Sequence, residues 1–258
     1  MRPSKLSLSL STLKRREQRG SRARCVLLTE GSPRRVSARL TEIANPHAVV
    51  LPSGPWAPSG FANPAELQLG RSERFLTRET RRRLQTWWLE VKPHSTTLPN
   101  WDLVSRAMVD GREGLLLVEA KAHAAELEKE AAGKRPGNAT NDRRIAACLA
   151  EAARSLSRAH PGAWRFDPRG HYQMANRFAW AWKLAALGVP VVLVYLGFTG
   201  ANEMRAPFLS DESWTDCVHR HAKGRIPESA WGSAIQVDGT PFIPLIRSLA
   251  IELPGVRR

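Results

Sequence analysis

An α/β domain with a mixed sheet flanked by helices is the fold class this sequence predicts, and three features carry the prediction. Residues 101–110 and 115–121 are β-capable runs around Asp-Gly-Arg-Glu-Gly, which reads as a hairpin. Leu115-Leu116-Leu117-Val118 is apolar at every position, the mark of a strand covered on both faces. Val191-Val192-Leu193-Val194-Tyr195-Leu196 is a second such run and follows a segment of helical periodicity. Helices and strands thus alternate as in a layered α/β domain.

Taken in order, residues 1–36 read as a basic flexible arm: they hold ten Lys/Arg against two Glu. Residues 37–74 read as irregular chain, with Pro46, Pro52, Pro55, Pro58 and Pro64 breaking any regular element. A core over 75–200 begins at Thr77, a good N-cap, with Leu84, Trp88 and Val91 near helical spacing; the expected helix spans 78–90 and is stopped by Pro93 and the Ser-Thr-Thr run. The hairpin follows. Helices are then expected over 124–133, over 142–158 on the stripe Ile145, Leu149, Ala152 and Leu156, and over 172–187, closed by Gly188. The strand at 191–196 ends the core. A C-terminal extension over 201–258 packs on it, with short helices near 211–222 and 241–250. Trp87, Trp88, Trp180 and Trp182 read as core residues.

Composition narrows the function. With 42% hydrophobic and 24% charged residues the chain can build a core. Its net charge is +15, of which residues 1–36 supply +8. Such a field attracts polyanions, nucleic acid before acidic membrane. The longest apolar run, residues 189–198, is too short for a bilayer span. Three distant cysteines imply no disulfide framework, so a reducing, cytoplasmic setting is expected. Neither a P-loop, nor GxGxxG, nor Gly-x-Ser-x-Gly is present, which removes support for nucleotide hydrolysis, Rossmann and hydrolase-elbow chemistry.

The chemistry concentrates at the hairpin. Glu119 and Lys121 are two apart on a strand and share a face. Asp102 opens the partner strand, and a turn near 110–114 brings it close to the far end of that hairpin, near 121, so the three side chains can meet at one sheet end. Two carboxylates beside an ammonium suit a hard divalent cation, Mg²⁺ with Mn²⁺ as substitute, and the Ala120 carbonyl lies where it can add a ligand. Lys121 is one of only 8 lysines beside 31 arginines, and a point charge with a tunable pKa suits an attacking water. The acid-x-Lys tripeptide alone says little: about 0.7 matches are expected from this composition, and Glu90-Val91-Lys92 is a second one. Only the match at 119–121 has an apolar strand before it and an upstream Asp.

From Trp101-Asp102 through Gly114-Leu115-Leu116-Leu117-Val118-Glu119-Ala120-Lys121, the chain resembles the active-site hairpin of the PD-(D/E)xK nuclease superfamily. The resemblance covers residues 75–198 and implies a restriction-endonuclease-like α-β-β-β-α-β core. It further implies metal-dependent hydrolysis of nucleic-acid phosphodiesters, with Asp102, Glu119 and the Ala120 carbonyl as metal ligands and Lys121 as catalytic lysine. No first core strand is legible between helix 78–90 and Trp101. Several such families carry a Gln on a helix after this hairpin; here Gln173 fits, with Arg177 one turn on and Asn176 beside it. Accessory candidates are Glu73 and Glu79 at the first helix, His123 two past Lys121, and His171 at a helix start. Cys217, His219 and His221 are too closely spaced for a convincing zinc site. The expected partner is nucleic acid, DNA rather than RNA, with no membrane; a homodimer is left open. The rival is a basic nucleic-acid-binding protein without catalysis, or a nuclease fold that has lost it.

Overall fold

In the computed structural model, which describes residues 10–91, 98–131, 133–134 and 137–253, much of the expected N-terminal arm is folded. Helices α1 (Gly20–Leu28) and α2 (Pro33–Ala44) occupy it, and eight of the nine residues of α1 are buried. Positions 1–9, the Pro93 and Ser-Thr-Thr helix stop and the last five residues lie outside the described residues. The physical reason for this correction is Arg24. Its guanidinium is fully buried and bidentate to Glu203, at 2.5 and 3.0 Å, and it also donates to the Ile251 carbonyl at 2.8 Å. An arginine satisfied in this way belongs to the interior, whereas a composition count assigns it to solvent.

The expected irregular segment supplies short edge strands, β1 (Ala48–Val49), β2 (Trp56–Ala57) and β3 (Leu67–Gln68). Then come α3 (Arg78–Trp88), β4 (Asn100–Trp101), β5 (Leu103–Val109) and β6 (Arg112–Lys121). Thr77 caps α3 by accepting from Thr80 N–H at 3.1 Å, as its sequence position suggests. Three helices follow, α4 (Ala124–Glu130), α5 (Ala139–Ala159) and α6 (Tyr172–Ala186), then β7 (Val191–Thr199), α7 (Asp211–Ala222), β8 (Ile235–Val237) and β9 (Thr240–Ala250).

The main sheet runs β1-β5-β6-β7-β9-β8, with β2 also paired to β5. It is mixed: β5 and β6 are antiparallel, whereas β6, β7 and β9 are parallel. The segment 241–250, expected as a helix, is therefore a strand inside the sheet. Its second proline, Pro244, would sit in a helix interior and cost roughly 3 kcal/mol there. In β9 it lies past the last β8 pair, Ile235 with Phe242, where no ladder donor is needed from it. The C-terminal region is thus part of the core rather than a layer added to it. The missing first strand has a similar answer: β1 and β2, which precede α3 in the chain, cover the outer edge of β5.

Each face of the sheet has its own apolar layer. Leu115, Leu117, Leu193 and Tyr195 pack with α3, α5, α6 and α7; Leu116, Val118, Val192, Val194 and Leu196 pack with α1 and α2. The uninterrupted apolar run in β6 is explained by this double cover. Trp87, Trp88, Trp180 and Trp182 form one buried aromatic group, with ring centroids 5.4–6.0 Å apart. No helix among the described residues is long and apolar enough to cross a membrane.

Gly197 on β7 is the register partner of Lys121, and the Trp214 ring lies directly on it. A methyl group there overlaps the indole, and a close-packed core resists such insertion. Gly197→Ala is expected to lower stability by about 1–3 kcal/mol. Urea denaturation checks this, with an unchanged midpoint as the contrary result.

Candidate active site

The hairpin turn sets the geometry. Asp110 and Gly111 both have positive φ, 46° and 74°, so the loop is two residues long and suits the strand twist. Leu103 consequently faces Val118, which puts Asp102 opposite Glu119, at the sheet end that also carries Lys121. At 102 the chain leaves the ladder, and the Asp102 carboxylate replaces a strand carbonyl: its Oδ2 accepts from Ala120 N–H at 2.8 Å. No protein donor reaches Oδ1 among the described residues.

Glu119 and Lys121 project from β6 towards α6, as strand alternation requires. Both are buried. Glu119 Oε1 accepts from Lys121 Nζ and from Gln173 Nε2 (the latter at 2.5 Å), and its Oε2 accepts from Arg177 Nε at 2.5 Å. Gln173 and Arg177 stand one turn apart on α6, so one helix face presents both donors. Arg177 also donates to Asn176 Oδ1 at 2.8 Å and lies over the Trp101 ring, 4.7 Å from its centroid. A carboxylate has about four lone-pair positions. Three on Glu119 are filled, and one remains on Oε2.

Lys121 has a second acidic neighbour that local sequence patterns do not reveal. Glu130, at the end of α4, holds Oε2 3.1 Å from the ammonium, accepts from Tyr195 Oη at 3.1 Å and stands 3.8 Å from His221 Nε2. Burial works against the charged forms, yet Glu119 and Glu130 hold the Lys121 pKa above its usual value. Burial likewise opposes ionisation of Glu130, but Lys121 and His221 outweigh it and bring its pKa down to about 2. Asp102 behaves oppositely. Burial, then the neighbouring Glu119 charge, push its carboxyl up to about 8 against the pull of Lys121. Ionising Asp102 adds a third carboxylate to Glu119 and Glu130 against the two cations Lys121 and Arg177, a negative excess that a bound cation relieves.

Glu66, just before β3, adds to the charge felt by Asp102 and is held by Arg22 at 3.4 Å. Its place in a Pro/Gly-rich segment gave no signal. The accessory acids lie elsewhere: Glu73 pairs with Arg81 at 2.5 Å, and both Glu73 and Glu79 are exposed. His123 is not on the strand, which ends at Lys121; it precedes α4 and is buried. His171 precedes α6 in a left-handed conformation, φ 55°, and its ring contacts that of His221 at 4.4 Å. Neither histidine forms a hydrogen bond or ion pair with Asp102 or Glu119. His219 is 3.9 Å from Glu228 while His221 faces Glu130, so the Cys217 segment points its histidines to different partners.

Among the described residues no cluster of three or more His, Cys, Asp or Glu side chains is arranged to hold a metal. The candidate set at the hairpin is smaller and all-oxygen: Asp102, Glu119 and the Ala120 carbonyl. A strand residue directs its N–H and C=O to the same neighbour, so the Ala120 carbonyl lies on the Asp102 side. This donor chemistry fits Mg²⁺ or Mn²⁺. Comparison of the chain with protein-family models, with curated proteins and with solved structures gives no match.

Proposed function

We propose that the protein is a Mg²⁺-dependent nuclease of the PD-(D/E)xK type, with a restriction-endonuclease-like core, acting on DNA. The observation that carries this reading is the convergence at one sheet end of Asp102 and Glu119, each with an open oxygen position, beside the single ammonium of Lys121. The β5-β6 hairpin followed by α6 and a parallel β7 supports the same reading. The net charge of +15 supports a polyanionic substrate.

A bound Mg²⁺ supplies a Lewis acid for the phosphoryl oxygen and lowers the pKa of water. Asp102 and Glu119 would hold it, with the Ala120 carbonyl beside them. Lys121 orients the attacking water and neutralises charge on the phosphorane as water adds across a P–O bond. Gln173 and Arg177 fix Glu119 from the helix side, and Glu130 keeps Lys121 protonated and in place.

A second reading, a nucleic-acid-binding protein without catalysis, is favoured by one observation: Glu119 already satisfies three donors, as in a structural ion network. One assay separates them. Supercoiled and linear DNA are incubated with the purified protein in Mg²⁺ and in EDTA. Nicking, linearisation or end resection in Mg²⁺ alone is the expected outcome; intact DNA in both, with protein still bound to it, favours the second reading.

A further inference from the structure

Three surface clefts of about 620, 560 and 610 Å³ lie along the segment that precedes α1. The first is lined in part by Asn100, two residues before Asp102, and by Arg16. The second is walled by Arg15, Arg16 and Arg19. The third contains Arg19, Arg205 and His123, two residues past Lys121. Arg16 belongs to the first and second clefts and Arg19 to the second and third, so neighbouring clefts of this trough meet at a shared arginine. Its two ends lie beside the two chain segments that carry the catalytic candidates.

The trough is solvated and carries a modest excess of positive charge: Lys14, Arg15, Arg16, Arg19, Arg22 and Arg205 line it against Glu17, Glu66, Glu128 and Glu203. Lys14, Arg15, Arg16 and Arg19 are all exposed. Among the described residues their one ion pair is Arg16 with Glu17 at 3.9 Å, too long and too exposed to hold the charge. The segment is nevertheless anchored one and two residues beyond Arg19, because Gly20 N–H donates to Glu203 at 3.2 Å and Ser21 Oγ to Glu126 at 2.9 Å. Exposed guanidiniums spread over three clefts match a chain of phosphates better than a single anion.

The geometry points to a phosphate-backbone track: Arg15, Arg16 and Arg19 bind successive phosphates of a nucleic acid and lead its strand across the Asp102–Lys121 end of the sheet. This inference rests on the nuclease reading for its orientation, but its test needs neither metal nor turnover. Affinity of a fluorescent 20-base-pair duplex is measured by anisotropy in EDTA over a series of salt concentrations. The wild-type protein is compared with R15A/R16A/R19A and with R78A/R82A/R83A, which removes three exposed arginines of α3 from outside the trough. Circular dichroism checks that each is folded. The trough variant is expected to bind at least tenfold more weakly. Its log K against log salt slope should be shallower by roughly 0.9 per lost contact, about 2.7 for three. The α3 variant should stay within twofold of wild type. Equal losses in both variants, no loss in the trough variant, or wild-type binding to poly-glutamate but not to DNA would overturn the track. Intact DNA binding without Mg²⁺-dependent cleavage would leave the track standing and remove the catalytic reading instead.

Discussion

Asp102→Asn is expected to abolish Mg²⁺-dependent DNA cleavage while leaving the fold as stable as wild type or more so. The side-chain amide keeps an oxygen for Ala120 N–H, so the bond at 2.8 Å survives. What disappears is a half-buried carboxyl raised to about 8 by desolvation and by Glu119. The sign follows from linkage. An acid whose pKa is higher folded than unfolded stabilises most below its unfolded value, and that stability is lost as pH rises through the folded value. Without divalent cation, wild-type stability should therefore fall between about pH 4 and pH 8 relative to the variant, whose difference curve is flat over this range. Thermal melts of both proteins in EDTA at pH 5 and pH 8 measure this. An equal pH response in the two proteins contradicts it.

Lys121→Met should have the opposite effect on stability. The ammonium lies between Glu119 and Glu130, which are both buried, and its removal leaves two carboxylates facing each other across an apolar side chain. Breaking a buried ion pair from one side costs about 3–5 kcal/mol. Proton uptake by one of the carboxyls moderates the loss, so the deficit should shrink as pH is lowered. Urea denaturation at pH 8 and pH 5 tests both statements; a loss below about 1 kcal/mol at pH 8 would mean the pair is effectively solvated. Cleavage should also vanish, but in this variant lost activity and lost stability have one cause in common. Asp102→Asn is for that reason the cleaner probe.

The contrast between these variants reflects what a sequence can carry. The hairpin was legible because its signals are local: an Asp-Gly turn, strand alternation and an apolar run. Gln173 and Arg177 were legible because polar groups four apart on an apolar helix must meet something. Glu130 was not, since it lies among Glu126, Glu128 and Lys129 and looks like a solvated charge run; only the packing of α4 brings it to Lys121. The N-terminal helices are illegible in the sequence for a related reason. Arg24 finds Glu203 across 179 residues, and no local pattern marks an arginine as interior when its partner is that distant. The outer edge of β5 is filled by chain from before α3, where strands of two residues leave almost no periodicity to detect.

The account stands on one shared cation at the hairpin end, and Mn²⁺ binding read by electron paramagnetic resonance tests it most directly. The wild-type protein should bind one Mn²⁺ per chain that Mg²⁺ displaces, and Asp102→Asn should lose that site while remaining folded. A wild-type protein that leaves the free Mn²⁺ signal undiminished, or a variant that binds as wild type does, would contradict it.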